Sequence, residues 1–171
     1  MNLLEASMIG MSIIRTTGAA WASATADGKL SVVEGWDLLE SGLRARSYGD
    51  KTIARFDPAD AMGLKAEAVA IAGAITPLLA LIPGVSFAQA SGASRTIMNA
   101  LAEPVHKALS DGKLTLGELL SAVRVALASS PWGHKTLVKI NPHDNMTSTA
   151  FAAANLLAMT ATTLLTLIKD D

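Results

Sequence analysis

Set against itself at an offset of 84 residues, the chain comes into register, and that repeat limits its possible folds more than any other feature. Asp27-Gly-Lys-Leu-Ser-Val-Val-Glu34 aligns without a gap on Asp111-Gly-Lys-Leu-Thr-Leu-Gly-Glu118. Tyr48 through Met62 aligns in the same way on Trp132 through Met146. Between residues 27 and 82 about a third of the aligned positions are identical, Gly, Pro and Asp prominent among them. Two units follow, residues 1–84 and 85–171, sharing one core as a single domain.

Each unit reads as helix, tight turn, helix, short extended segment, helix. The first helix is expected over about 2–24 in one unit and about 94–109 in the other, where Pro104 breaks or restarts it. Asp27-Gly28 and Asp111-Gly112 make the turn, with glycine free to adopt positive φ. Ser31 with Glu34, and Thr115 with Glu118, have the spacing of a capping box opening the second helix. The apolar stripe of that helix is Val32, Trp36, Leu39 and Leu43, matched by Leu116, Leu120, Val123 and Leu127.

Lys51–Phe56 and Lys135–Ile140 alternate polar with apolar residues and predict two short strands that pair with each other about a pseudo-twofold axis. Asp57-Pro58-x-Asp60 and Asn141-Pro142-x-Asp144 then announce the third helix. Asp or Asn caps it, Pro takes its first position, and a carboxylate faces its positive end. Leu64, Ala68, Ile71, Ile75, Leu78 and Ile82 step along it as a packing seam, with a kink expected at Pro77 and an end at Pro83-Gly84. The fold class is therefore all-α, with at most one short two-stranded ribbon, formed by duplication of a three-helix unit about a pseudo-twofold axis.

Composition narrows the chemistry. Half of the 171 residues are apolar, 17% are charged and the net charge is −1, which leaves no electrostatic footprint for nucleic acid. Without cysteine there is no disulfide framework, thiol nucleophile or thiolate metal site. The opening segment has an acid and no basic stretch, which argues against a secretory signal.

Asp-Gly-Lys-Leu-x-x-x-Glu has the look of the second half of a calcium-binding EF-hand loop. Placing Asp27 fifth in such a loop leaves Ser23, Thr25 and Glu34 as the other ligands. Placing Asp111 fifth calls on Lys107 and Leu109, which cannot coordinate a cation. A helix turn with a capping box explains these residues better, and a degenerate EF-hand-like ligand-binding module ranks third among the functional readings. His106, His134 and His143 lack the spacing of a metal site, and no cofactor motif is present. The Asp and Glu residues common to both units serve turns and caps, so no catalytic group is assigned and the chain reads as non-enzymatic.

Lys51 and Arg55 beside Tyr48, with Lys135 and Lys139 beside Trp132, are the candidate contacts for a partner. Leu3, Leu4, Met8, Met11 and Ile14 give the first helix an apolar stripe suited to another contact. In texture, with small helical repeats and Asp-Gly-Lys turns, the chain is similar to accessory and virion proteins of tailed bacteriophages. That likeness implies a structural subunit that oligomerises or docks into a larger complex, with other proteins or copies of itself as partners. The second reading is a small holin-like membrane protein, because residues 64–82 and 147–168 are long and apolar enough to span hydrocarbon.

Overall fold

The computed structural model describes residues 1–16, 26–55, 65–108, 111–139 and 148–169. In order along the chain these form α1 (Leu3–Thr16), β1 (Lys29–Ser31), α2 (Val32–Ala45), β2 (Thr52–Arg55) and α3 (Lys65–Ala80). The second half gives α4 (Phe87–Ala108), β3 (Lys113–Thr115), α5 (Leu116–Ser129), β4 (Thr136–Lys139) and α6 (Ser148–Leu165). The chain is mostly helical. Asp57, Pro58, Asp60, Asn141, Pro142 and Asp144 lie outside the described residues.

Local chemistry sets the best-defined helix starts. Ser31 Oγ accepts the Glu34 N–H at 3.2 Å while the Glu34 carboxylate accepts the Ser31 N–H at 2.7 Å. Thr115 and Glu118 repeat both bonds at 3.3 and 2.8 Å. Each box satisfies two orphan donors, and losing its hydroxyl costs about 0.5–2 kcal/mol. Upstream, Asp27 and Asp111 accept the N–H two residues on, of Lys29 and Lys113, and Gly28 and Gly112 hold φ of 81° and 86°. A Cβ at Gly112 would meet nothing within 4 Å. Gly112→Ala therefore isolates the backbone term: urea unfolding should show a loss of about 1 kcal/mol, and an unchanged midpoint would contradict the turn.

The second helices bury the expected stripe completely: Val32, Trp36, Leu39 and Leu43 on α2, and Leu116, Leu120, Val123 and Leu127 on α5, are all at 0% exposure. They belong to one hydrophobic cluster that runs through both halves and includes Ile71, Ile75, Leu78 and Ile82 from the third-helix seam of the first half. From α6 it takes Leu157 and Leu164, and from the segment after it Ile168, while Asn155 and Thr166 stay in water.

The strands depart from expectation. Residues 51–56 and 135–140 do not pair with each other. Instead β1 pairs antiparallel with β4, and β2 with β3, giving two ribbons. The reason lies in the turn: Gly28 and Gly112 redirect the chain so that the three residues before each capping box run extended, and each such segment offers an edge to the other half. Lys29 faces Lys139 and Leu30 faces Val138 in one ribbon; Lys113 faces Arg55 and Leu114 faces Ala54 in the other. Every one of these pairs maps onto its counterpart by adding or subtracting 84. So do the bonds that extend the ribbons, Val32 N–H to Lys135 O and Leu116 N–H to Lys51 O.

Helix packing follows the same exchange. α1 lies on α6 and α4 lies on α3, so the first helix of each half covers the third helix of the other. α1 approaches closely through Gly10, where a Cβ would stand 2.7 Å from Thr162 Oγ1 and 2.8 Å from Ala158 O. The matching position on α4 is Ser94, buried and hydrogen-bonded to Thr76 of α3 at 2.7 Å. α2 and α5 cross at Trp36, whose indole N–H donates to Leu120 O at 3.0 Å, a partner 84 positions away.

Two helix boundaries need correction. α4 starts at Phe87, not near 94, because Ser86 and Gln89 form a further reciprocal cap at 2.9 and 3.2 Å; Asn2 and Glu5 do the same before α1. α4 also runs on through Pro104 to Ala108, and α3 continues past Pro77. A helix already capped and packed on both sides tolerates the single backbone bond that a proline removes. In the first unit, α1 is described only to Thr16.

Candidate functional site

The aromatic–glycine step before each late strand holds Tyr48 and Trp132 half-buried against the core cluster. Their carbonyls accept the Lys51 and Lys135 N–H at 3.1 and 3.2 Å, closing equivalent turns. Lys135 Nζ sits 5.5 Å from the Trp132 ring centre, a cation–π contact. Lys51, Lys135 and Lys139 are exposed. The ribbons bring in two cations that strand spacing alone misses, Lys29 opposite Lys139 and Lys113 opposite Arg55. Like charges directly across a ladder are destabilising, and Lys29, Lys113 and Lys139 all extend into water. The signal for them was the repeated Asp-Gly-Lys itself.

A cleft of about 500 Å³ opens between the end of α2, the end of α4 and the start of α5. Its lining includes Arg44, Asp50, Lys107, Glu118 and Ser121. Arg44 donates to Glu40 at 2.9 Å, to Gly117 O at 2.9 Å and to Ser121 Oγ at 2.8 Å, and so ties α2 to α5. Glu118 is engaged by its own capping box. Two of the lining residues have no like in the other half, where Ala128 and Val33 stand at the positions of Arg44 and Gly117.

Further along the α2–α5 contact, Arg124 pairs with Asp37. The hydrogen bond that Arg124 donates to Asp37, then the Asp37 charge, holds the Arg124 guanidinium above its ordinary pKa. Ser121 Oγ donates to Glu40 at 3.2 Å. These two contacts, 37 with 124 and 40 with 121, exchange under the 84-residue offset. The Arg124–Asp37 pair is open to solvent, while the Ser121–Glu40 bond is partly buried.

The carboxylates of the calcium-loop reading are drawn inward to backbone donors: Asp27, Asp111, Glu34 and Glu118 each accept an N–H within their own turn. His134 Nε2 lies 3.1 Å from Ala128 O. The side chains of His106 and His143, together with Ser23 and Thr25, are outside the described residues. Among the described residues no cluster of His, Asp and Glu is arranged to hold a metal ion. None of the described helices is long and apolar enough to cross a membrane.

The largest uncompensated feature is apolar. On α1, Leu3, Leu4, Met8 and Met11 are 69%, 70%, 58% and 45% exposed, and Leu4, Met8 and Met11 form a stripe at helical spacing. The residues 84 further on, on α4, are Phe87, Ala88, Gly92 and Arg95, also exposed. Position 3/87 is apolar in both halves; the stripe is large and apolar only on α1. Comparison with known proteins returns no protein-family model, no curated protein and no solved structure that matches this chain.

Proposed function

We propose that the chain is an internally duplicated, non-enzymatic assembly subunit, built from units 1–84 and 85–171, that associates with protein partners, copies of itself first, through the exposed face of α1. The duplication is supported by ribbon registers, caps and helix pairings that recur at one constant offset. A non-enzymatic role is supported by the polar groups of the repeat, whose hydrogen bonds go to caps, turns and the α2–α5 crossing.

The observation that carries the assembly role is the contrast between α1 and α4. Similar exposed positions on matched helices hold Leu4, Met8 and Met11 in one half and Ala88, Gly92 and Arg95 in the other. The fold accepts small or charged residues there, so large apolar ones serve something other than folding. Exposed large side chains set together on one helix face mark an interaction surface. A net charge of −1 offers little repulsion between copies.

Size-exclusion chromatography with light scattering tests this. The protein should elute as a particle larger than the 17.7 kDa chain, and Leu4→Glu with Met8→Glu should return it to a monomer with unchanged helical circular dichroism. A wild-type monomer at every concentration up to the millimolar range would overturn the reading.

A further inference from the structure

We infer that the occupant of the α1 face is α4 of a second copy, so that the molecules join head to tail. The inference rests on the assembly role proposed above and deepens it. Its basis is the complementarity of two surfaces that one duplicated backbone presents. α1 offers a ridge of Leu4, Met8 and Met11. α4 offers Ala88 and Gly92 one turn apart, and a Cβ at Gly92 would meet nothing within 4 Å, so the helix surface there is an open groove.

Charge agrees with shape. Glu5 is exposed beside the ridge and Arg95 is exposed beside the groove. Arg95 makes no ion pair or hydrogen bond among the described residues. Laid antiparallel with Met8 over Gly92, the two helices set Glu5 and Arg95 at the same level on the two flanks of the seam, where their long side chains can reach each other. Ridge packed into groove at a small residue lets helix backbones approach closely. Pairing α1 with a second α1 would instead set large against large.

The contact joins two different surfaces, so every molecule keeps a free α1 at one end and a free α4 at the other. Such heterologous contacts produce rings or open filaments.

Because the chain has no cysteine, disulfide trapping reads the geometry directly. Met8→Cys and Gly92→Cys together should give, on mild oxidation, a covalent ladder of dimer, trimer and higher species. Mixing the two single variants should give one covalent dimer, and each alone should stay uncross-linked. Gly92→Leu fills the groove without touching its own fold and should abolish the larger particles; Arg95→Glu should weaken association roughly two- to fivefold. Cross-linking of Met8→Cys with itself would overturn the head-to-tail contact. So would an uncross-linked double variant, or full-size particles from Gly92→Leu, and in all three cases the assembly role would survive. A monomer in every sample would take the assembly role down with it.

Discussion

Trp36→Ala should be the most damaging single replacement in this protein, lowering stability by about 3–5 kcal/mol in urea or thermal unfolding. Trp36 is at 0% exposure and is the largest of the fully buried side chains among the described residues. It sits where α2 crosses α5 and its indole N–H donates to Leu120 O, so removal empties the centre of one of the contacts between the halves. Trp36→Phe keeps most of the volume and deletes only the N–H; it should cost about 1–2 kcal/mol. A loss from Trp36→Ala below about 1 kcal/mol, within the range of an ordinary surface change, would mean that the crossing does not hold the halves together.

Gly133→Ala ranks second. A Cβ there would overlap Leu127 O and lie 2.8 Å from Val33 Cγ2, so backbone must move, and the bond from the Val33 N–H to Gly133 O, in the turn before β4, must move with it. Overpacking against backbone costs about 1–3 kcal/mol and sometimes more. Gly49 occupies the matching position, yet its Cβ would come no nearer than 3.4 Å to Arg44 Cγ, a flexible stem. Gly49→Ala should therefore be close to neutral. Equal effects of the two changes on the melting temperature would refute this account of the turn after α5.

Residue identity announced much of this architecture because the decisive signals were local. Ser31/Glu34 and Thr115/Glu118 define helix starts by chemistry confined to four residues, and Gly28 and Gly112 define a turn by one dihedral. Strand pairing is a non-local choice. Nothing in Lys51–Phe56 says which edge it will meet, and the answer depended on a three-residue extended segment hidden inside the Asp-Gly-Lys turn. The start of α4 was legible in Ser86-x-x-Gln89, but Pro104 drew attention to the wrong end. As for interaction residues, the α1 stripe was visible from its spacing. That its counterpart on α4 is small and cationic gained meaning only once both helices stood on matching neighbours.

The crossed ribbons have a consequence for synthesis. As the first 84 residues leave the ribosome, β1 and β2 have emerged without β4 and β3, and α1 without α6. The nascent segment must wait with bare strand edges until nearly the whole polypeptide has been made, and two neighbouring nascent chains can each supply what the other lacks. A short connection at Ile82-Pro83-Gly84 between such interchangeable parts makes reciprocal exchange of halves the characteristic misassembly of this protein at high expression.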